Sequence, residues 1–110
     1  MARDVNRVTL VGTVGADPDH GETESVVLVR TEVEGSREWH QVRYSGAGRE
    51  QLTRGTRVVI SGRLAYHMYR TPEGGMVAGY VAAEGVVVLR RAPTLDVRLI
   101  EGGGIGVAVV

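Results

Sequence analysis

The chain has 110 residues, 43% of them hydrophobic, which suffices for one compact core but leaves too little for two. It contains no cysteine, which excludes disulfides and thiolate metal sites, and no apolar run approaches the roughly 20 residues of a membrane span. Its 13 basic and 13 acidic residues cancel, so the positive excess typical of nucleic-acid binders is absent, although every basic residue is arginine.

Hydrophobic and polar residues alternate along five stretches, as they do in half-buried β-strands. Turn-forming residues separate these stretches at 17–21 and 34–36, and residues 72–75 predict a hairpin between the last two. The five predicted strands cover residues 5–15, 25–34, 37–45, 56–69 and 76–90.

The remaining segments predict a short helix and a separate tail. Residues 46–54 can form two helical turns at most, and Pro93 marks a boundary beyond which 95–100 alternate again. We expect a domain over residues 1–92 and a C-terminal strand or arm over 93–110. Three strands, a short helix and a two-stranded hairpin follow the order of an oligonucleotide-binding (OB) barrel. The predicted fold is therefore all-β: a five-stranded OB barrel with a short helix between its third and fourth strands and an extra C-terminal strand or arm.

Residues that could support catalysis do not form a recognisable pattern. His20, His40 and His67 are far apart in sequence and lack metal-ligand spacing. The serines lack a nucleophile elbow, and no pair of acidic residues suggests acid–base chemistry. The glycine-rich residues 102–106 include no lysine and lead into no predicted helix, unlike a phosphate-binding loop. We therefore expect no enzymatic activity, no bound metal and no cofactor.

Aromatic and arginine residues are interleaved along the predicted strands. Alternation places Trp39 on the exposed face of the third strand with Gln41 and Arg43, opposite Val42, and exposed apolar surface of this size favours a binding role. Aromatic rings stack unpaired bases at roughly 1–3 kcal/mol each, while arginines follow the phosphates. The candidate binding residues are Arg7, Arg30, Trp39, Arg43, Arg63, Tyr66, Tyr69, Arg70 and Tyr80.

Two tyrosines fall on the core-facing side of their strands. For Tyr44 we expect core packing. For Tyr66, core packing and base stacking both remain open, because the predicted hairpin extends past the barrel. Arg63, His67 and Tyr69 share the opposite, outward face of the fourth strand.

Five segments, in the correct order over residues 5–89, resemble the bacterial single-stranded DNA-binding protein family. The resemblance implies an OB fold and sequence-independent binding and protection of single-stranded DNA during replication, recombination or repair. It also implies self-association, as a homotetramer or a dimer, and a cytoplasmic, nucleoid-associated location. The segments are VNRVTLVGTVGADPD at 5–19, EWHQV at 38–42, RGTRVVISGRL at 54–64, MYRTPEGG at 68–75 and VAAEGVVVL at 81–89.

The resemblance assigns roles to four of the candidate residues. Trp39 matches a base-stacking tryptophan, and Tyr69 lies where the family has a stacking aromatic residue in a long hairpin. Arg7 and Arg63 fall at positions that are commonly basic or polar near the DNA. Strand parity alone adds Arg30, Arg43, Arg70 and Tyr80.

The chain also departs from the family pattern. The connection between the second and third strands is short and lacks an aromatic residue, and Ser45 stands where an aromatic residue usually closes the third strand. Together with the neutral net charge, these departures predict that the chain binds single-stranded DNA more weakly than a typical member of the family, or wraps a shorter length of it. The apolar end at Val110 has no acidic tip, so recruitment of replication or repair proteins through such a tip is not expected.

Two alternatives remain open from the sequence. A primosome-type adaptor of the same fold would mainly bind protein and would have weak affinity for single-stranded DNA; the short chain favours it. A barrel with a purely structural or protein-binding role is favoured by the zero net charge.

Overall fold

The computed structural model of the chain describes residues 2–16 and 18–91, together with the backbone of 95–100 and 104–109. Strands dominate, which confirms the predicted all-β class. The strands are β1 (Val8–Val14), β2 (Asp19–His20), β3 (Ser25–Val33), β4 (Ser36–Tyr44), β5 (Arg57–Thr71), β6 (Gly74–Arg90), β7 (Leu95–Ile100) and β8 (Gly104–Val109).

Five of these strands close into a barrel, as predicted. Antiparallel ladders join β1 to β5, β5 to β6 and β3 to β4. Parallel pairing of β4 with β6 at Val42–Val81 and Arg43–Ala82, together with the contact of β1 with β3, completes the circle.

The two-residue strand β2 was not predicted. Asp19 and His20 lie in a segment whose composition indicated only a turn, but they pair with Val26 and Ser25 at the start of β3. The backbone N–H of Gly21 donates to the carbonyl of Glu24 at 2.8 Å, and this tight turn brings the two segments together.

The barrel interior is filled mainly by valine. Alternation predicts most of these positions, but Leu64, predicted to point inward, is 39% exposed, and Val33 on the core-facing side of β3 is 64% exposed. Val33 lies at the β3–β4 turn, and Leu64 pairs with Val81 at the end of the barrel, just before the β5–β6 hairpin projects beyond it. The buried cluster consists of Val14, Val27, Val29, Val42, Leu52, Val58, Ile60 and Val81.

The predicted helix is a single 3₁₀ turn at Arg49–Gln51, shorter than the two turns that the segment could have formed. Gly48 precedes it with a left-handed φ of 76°, so the helix cannot extend backwards. The turn places Leu52 in the core, where the side chain is 1% exposed. Among the described residues, no helix is long and apolar enough to cross a membrane.

The C-terminal segment forms a hairpin of its own. β7 and β8 pair antiparallel from Leu95–Val109 to Ile100–Gly104 as a two-stranded sheet. The predicted extra strand is thus two strands. Pro93, where we predicted the domain boundary, lies outside the described residues, so the division into 1–92 and 93–110 stays a prediction.

A bulge in β6 reverses which of its residues face the core. Ser61 pairs with Gly85 but the next residue, Gly62, pairs with Ala83, so Glu84 is an extra residue. Before the bulge, Val81 faces inward; after it, the even-numbered Val86 and Val88 pack against the core. One extra residue inverts the alternation of a strand. Tyr80 therefore points outward.

Candidate nucleic-acid interface

Trp39 is exposed on the outer face of β4, as its alternation with the buried Val42 predicts. Its side chain is 54% exposed, and Arg30 lies directly opposite it on β3. Residues paired across antiparallel strands share a face, so the guanidinium and the indole lie on the same surface. One edge of the ring lies against Gly15, since a Cβ added there would stand 2.5 Å from Cζ3 of Trp39.

A groove of about 530 Å³ lies beside the indole. It contains a second arginine, Arg54, which sequence reasoning did not select. Arg54 reaches this place because Gly55 donates its backbone N–H to the carbonyl of Val14 at 2.9 Å, tying the loop before β5 to the end of β1. No local pattern signals that contact. The groove is lined by Thr13, Val14, Gly15, Ala16, Arg30, Trp39, Arg54 and Gly55.

Gly15 provides a way to move the indole without removing it. In Gly15→Ala, the added methyl group displaces the half-exposed ring outward. We expect weaker binding of a labelled dT oligonucleotide, by up to the roughly 1–3 kcal/mol that one stacked base contributes. The free energy of unfolding should change by less than about 1 kcal/mol, because the ring can shift into solvent.

The matched control for this prediction is Gly85→Ala, whose new Cβ meets no atom within 4 Å. Fluorescence anisotropy of the oligonucleotide and the Trp39 emission maximum measure the two effects. Unchanged affinity in Gly15→Ala would mean that the position of the indole does not matter for binding.

Arg43 lies on the same outer face of β4, at the point where this strand pairs with β6. Its guanidinium carbon lies over the ring of Tyr80, 4.6 Å from the centroid. The pairing Arg43–Ala82–Arg63 runs across β4, β6 and β5, so Arg43 and Arg63 lie on the same face, separated by one small residue.

The β5–β6 hairpin carries this face away from the barrel. Arg63, His67 and Tyr69 all point to the same side, as alternation predicts, and pair with Ala82, Ala78 and Met76. The rings of His67 and Tyr69 are stacked, with centroids 6.2 Å apart, and the Tyr69 side chain is 41% exposed. We call the surface formed by Arg30, Trp39, Arg43, Arg63, His67, Tyr69 and Tyr80 the outer stripe.

The outer stripe carries local positive charge despite the neutral chain. It contains three arginines, and none of its members is acidic. The described residues form one salt bridge between arginine and an acid, Arg37 with Glu32, at 3.7 Å near the β3–β4 turn. The zero net charge therefore says little about this surface.

Three of the predicted binding residues lie away from the outer stripe. Tyr66 and Arg70 pair with Gly79 and Gly75 on the opposite face of the hairpin, where Tyr66 is 62% exposed. Tyr66 thus lies on the core-facing side of β5, as alternation predicts, but this part of the hairpin projects beyond the core and the ring is not covered. Arg7 is exposed just before β1, beside a small pocket that also includes Glu84.

Tyr44 packs partly buried against the core, as predicted. Two histidines have hydrogen-bond partners within the barrel wall. His40 Nε2 lies 2.8 Å from Thr31 Oγ1, and His20 Nδ1 lies 2.7 Å from Ser25 Oγ. Over the part of the chain that the structure describes, no group of three or more histidine or acidic side chains could hold a metal ion.

The closed five-stranded barrel, with its strand order β1–β3–β4–β6–β5, is that of an OB-fold protein. The model of the single-strand binding protein family matches residues 5–87. The chain belongs to this family, which confirms the resemblance found in the sequence.

Curated relatives carry the same description. A single-stranded DNA-binding protein of Xanthomonas campestris pv. campestris is 34% identical, over 67% of this chain and 54% of the relative. A second, from Xanthomonas axonopodis pv. citri, is 36% identical over 67% of this chain and 51% of the relative. A third, from Xylella fastidiosa, is 31% identical over 96% of this chain and 72% of the relative. The chain spans about half the length of the two Xanthomonas proteins that it matches.

Solved structures share the fold at low sequence identity. A mitochondrial single-stranded DNA-binding protein of S. cerevisiae superposes with a TM-score of 0.65 at 14% identity, covering 82% of this chain and all of that one. A Plasmodium falciparum SSB in complex with single-stranded DNA gives a TM-score of 0.66 at 18% identity, covering 81% and 98%.

Proposed function

We propose that the chain binds and protects single-stranded DNA without sequence specificity, along the outer stripe, during replication, recombination or repair. The observation that carries this proposal is the half-exposed Trp39 ring in a groove with Arg30 and Arg54. An aromatic face accepts any base, and the flanking guanidiniums suit the phosphates on either side. Stacking on an aromatic face and contacts with phosphates do not depend on the base, so this arrangement favours sequence tolerance.

The stripe extends the binding path well beyond Trp39. Arg43 lies four residues further along β4, about 13 Å at the rise of a strand, and Tyr69 lies on the projecting hairpin. Trp39 and Tyr69 would stack bases, and Arg30, Arg43 and Arg63 would contact phosphates of the same DNA strand. Arg7, Tyr66 and Arg70 could take part only if the strand passes around the barrel or over the edge of the hairpin.

The comparisons favour this function over the alternatives. The family match and the named relatives support single-stranded DNA binding, and the P. falciparum neighbour is itself bound to single-stranded DNA. They do not favour a primosome-type adaptor. The zero net charge of the chain no longer favours a purely structural barrel, because three arginines lie on the outer stripe.

We further propose that the chain acts as a homo-oligomer, a tetramer or a dimer, at the nucleoid. On the outside of the barrel, Val11 and Val87 flank Val59 in one row across three strands and are 46% and 60% exposed. Exposed apolar surface of this kind is typical of interfaces. Light scattering measures the assembly mass, and a monomer at micromolar concentration contradicts the proposal.

A titration of Trp39 fluorescence with poly-dT at two salt concentrations tests the proposed function. We expect strong quenching, because a base stacks on the only indole, and an affinity that falls as salt rises, because phosphate neutralisation releases counterions. Weak, saturable quenching would instead indicate an adaptor. Absence of quenching would indicate a structural barrel.

A further inference from the structure

The pairing of β4 with β6 brings Arg43 and Tyr80 together. Val42 and Val81 pair and are both buried, so the residues next to them in sequence point outward. Arg43 follows Val42 and pairs with Ala82, and Tyr80 lies two residues before Ala82 on the same face, so Arg43 and Tyr80 are diagonal neighbours on the barrel surface. The guanidinium carbon then lies 4.6 Å from the centre of the tyrosine ring.

The ring contact is the main restraint on the Arg43 guanidinium. Nε of Arg43 is buried and has no hydrogen-bond partner among the described residues, and Arg43 forms no salt bridge with any of them. A buried donor without an acceptor is unfavourable, so a specific attraction must hold the side chain in place. A cation over an aromatic face supplies such an attraction.

We infer that Arg43 and Tyr80 form a single nucleobase platform, in which Tyr80 positions the guanidinium and Arg43 receives the base. This inference rests on the proposed binding of single-stranded DNA. Arg43 covers one face of the Tyr80 ring, so that face is closed to a base. The planar guanidinium of arginine can itself stack on unpaired bases, and Arg43 remains partly exposed. Tyr80 is therefore a positioning residue and does not stack a base with the covered face.

Substitutions at Arg43 separate stacking from charge. With a labelled dT oligonucleotide, we expect Arg43→Ala to raise Kd about tenfold, the loss of one stacked base. Arg43→Lys keeps the charge but loses the plane, so its Kd should rise almost as much while the salt dependence stays near that of the parent chain. Arg90→Lys is the matched control, since Arg90 is exposed at the far end of β6 and should bind as the parent does.

Substitutions at Tyr80 test its positioning role. Tyr80→Phe keeps the ring and should bind within about twofold of the parent, whereas Tyr80→Ala should resemble Arg43→Ala. Adding Tyr80→Ala to Arg43→Ala should cause no further loss, because the two residues act as one unit. Thermal unfolding of each variant identifies those that fail to fold. If Tyr80→Ala fails to fold, the affinities of Arg43→Lys and Tyr80→Phe still test the inference.

The outcomes distinguish this inference from the proposed function. If the parent chain does not bind the oligonucleotide, the proposed function itself fails. If the parent binds but Arg43→Lys binds equally well, Arg43 supplies charge alone and the platform is wrong. Additive losses at the two positions would show that each residue contacts DNA separately, which also overturns the inference.

Discussion

Trp39→Ala is expected to weaken binding of a dT oligonucleotide by roughly 1–3 kcal/mol per site, which is about 5- to 150-fold in Kd. The loss follows from removing the exposed aromatic face that lies between Arg30 and the end of β1. The ring is 54% exposed and contributes little to the core, so the barrel should remain folded. Fluorescence anisotropy with a labelled oligonucleotide measures the affinity, since the variant has no indole of its own.

Two companion variants make this result specific. Trp39→Phe keeps an aromatic face and should retain part of the affinity. Val33→Ala removes another exposed apolar side chain, which lies near the β3–β4 turn on the face of the sheet opposite to Trp39. This variant should bind DNA as the parent chain does. Equal affinities for Trp39→Ala and the parent would place the binding surface elsewhere.

Gly62→Ala is expected to lower the free energy of unfolding by about 1–3 kcal/mol or more. Gly62 lies at the bulge where β5 and β6 change register, and a Cβ there would collide with the backbone carbonyl of Ala82. A backbone atom within a sheet cannot move aside as a side-chain tip can. The strands must separate locally, which would also disturb Arg63 and Tyr80 on the outer stripe.

Urea unfolding measures this effect, with Gly85→Ala as the matched control. Gly85 lies across the same bulge, opposite Ser61, but its added Cβ would meet no atom within 4 Å. Its unfolding free energy should stay within about 0.5 kcal/mol of the parent value. Similar stabilities for the two variants would show that the bulge tolerates a side chain at Gly62.

Alternation was a sound guide where a strand has one face in the core. It placed Val42 inside and Trp39 outside, because successive side chains of a strand point to opposite faces. It failed for Leu64, since parity says which side a residue faces and not whether anything covers that side. The β5–β6 hairpin continues past the barrel, and the length of the predicted strand does not show which of its residues the core covers.

The β6 strand shows a different limit. Val86 and Val88 pack on the core, and uninterrupted alternation would then place Tyr80 on the same side. The bulge at Glu84 reverses the phase, and it depends on pairing with β5, a strand remote along the chain. Arg54 was missed for a related reason, because it joins the Trp39 groove through a loop contact with β1.

By itself, the sequence determined the five barrel strands, the turns between them and the exposed indole, since these depend on neighbouring residues and on a period of two. It also carried the family resemblance that the comparisons confirm. Only the tertiary structure decided which arginines meet which aromatic rings, and that Arg54 joins the groove beside Trp39. Such encounters depend on barrel closure and on one inserted residue, which join strands that are distant in sequence.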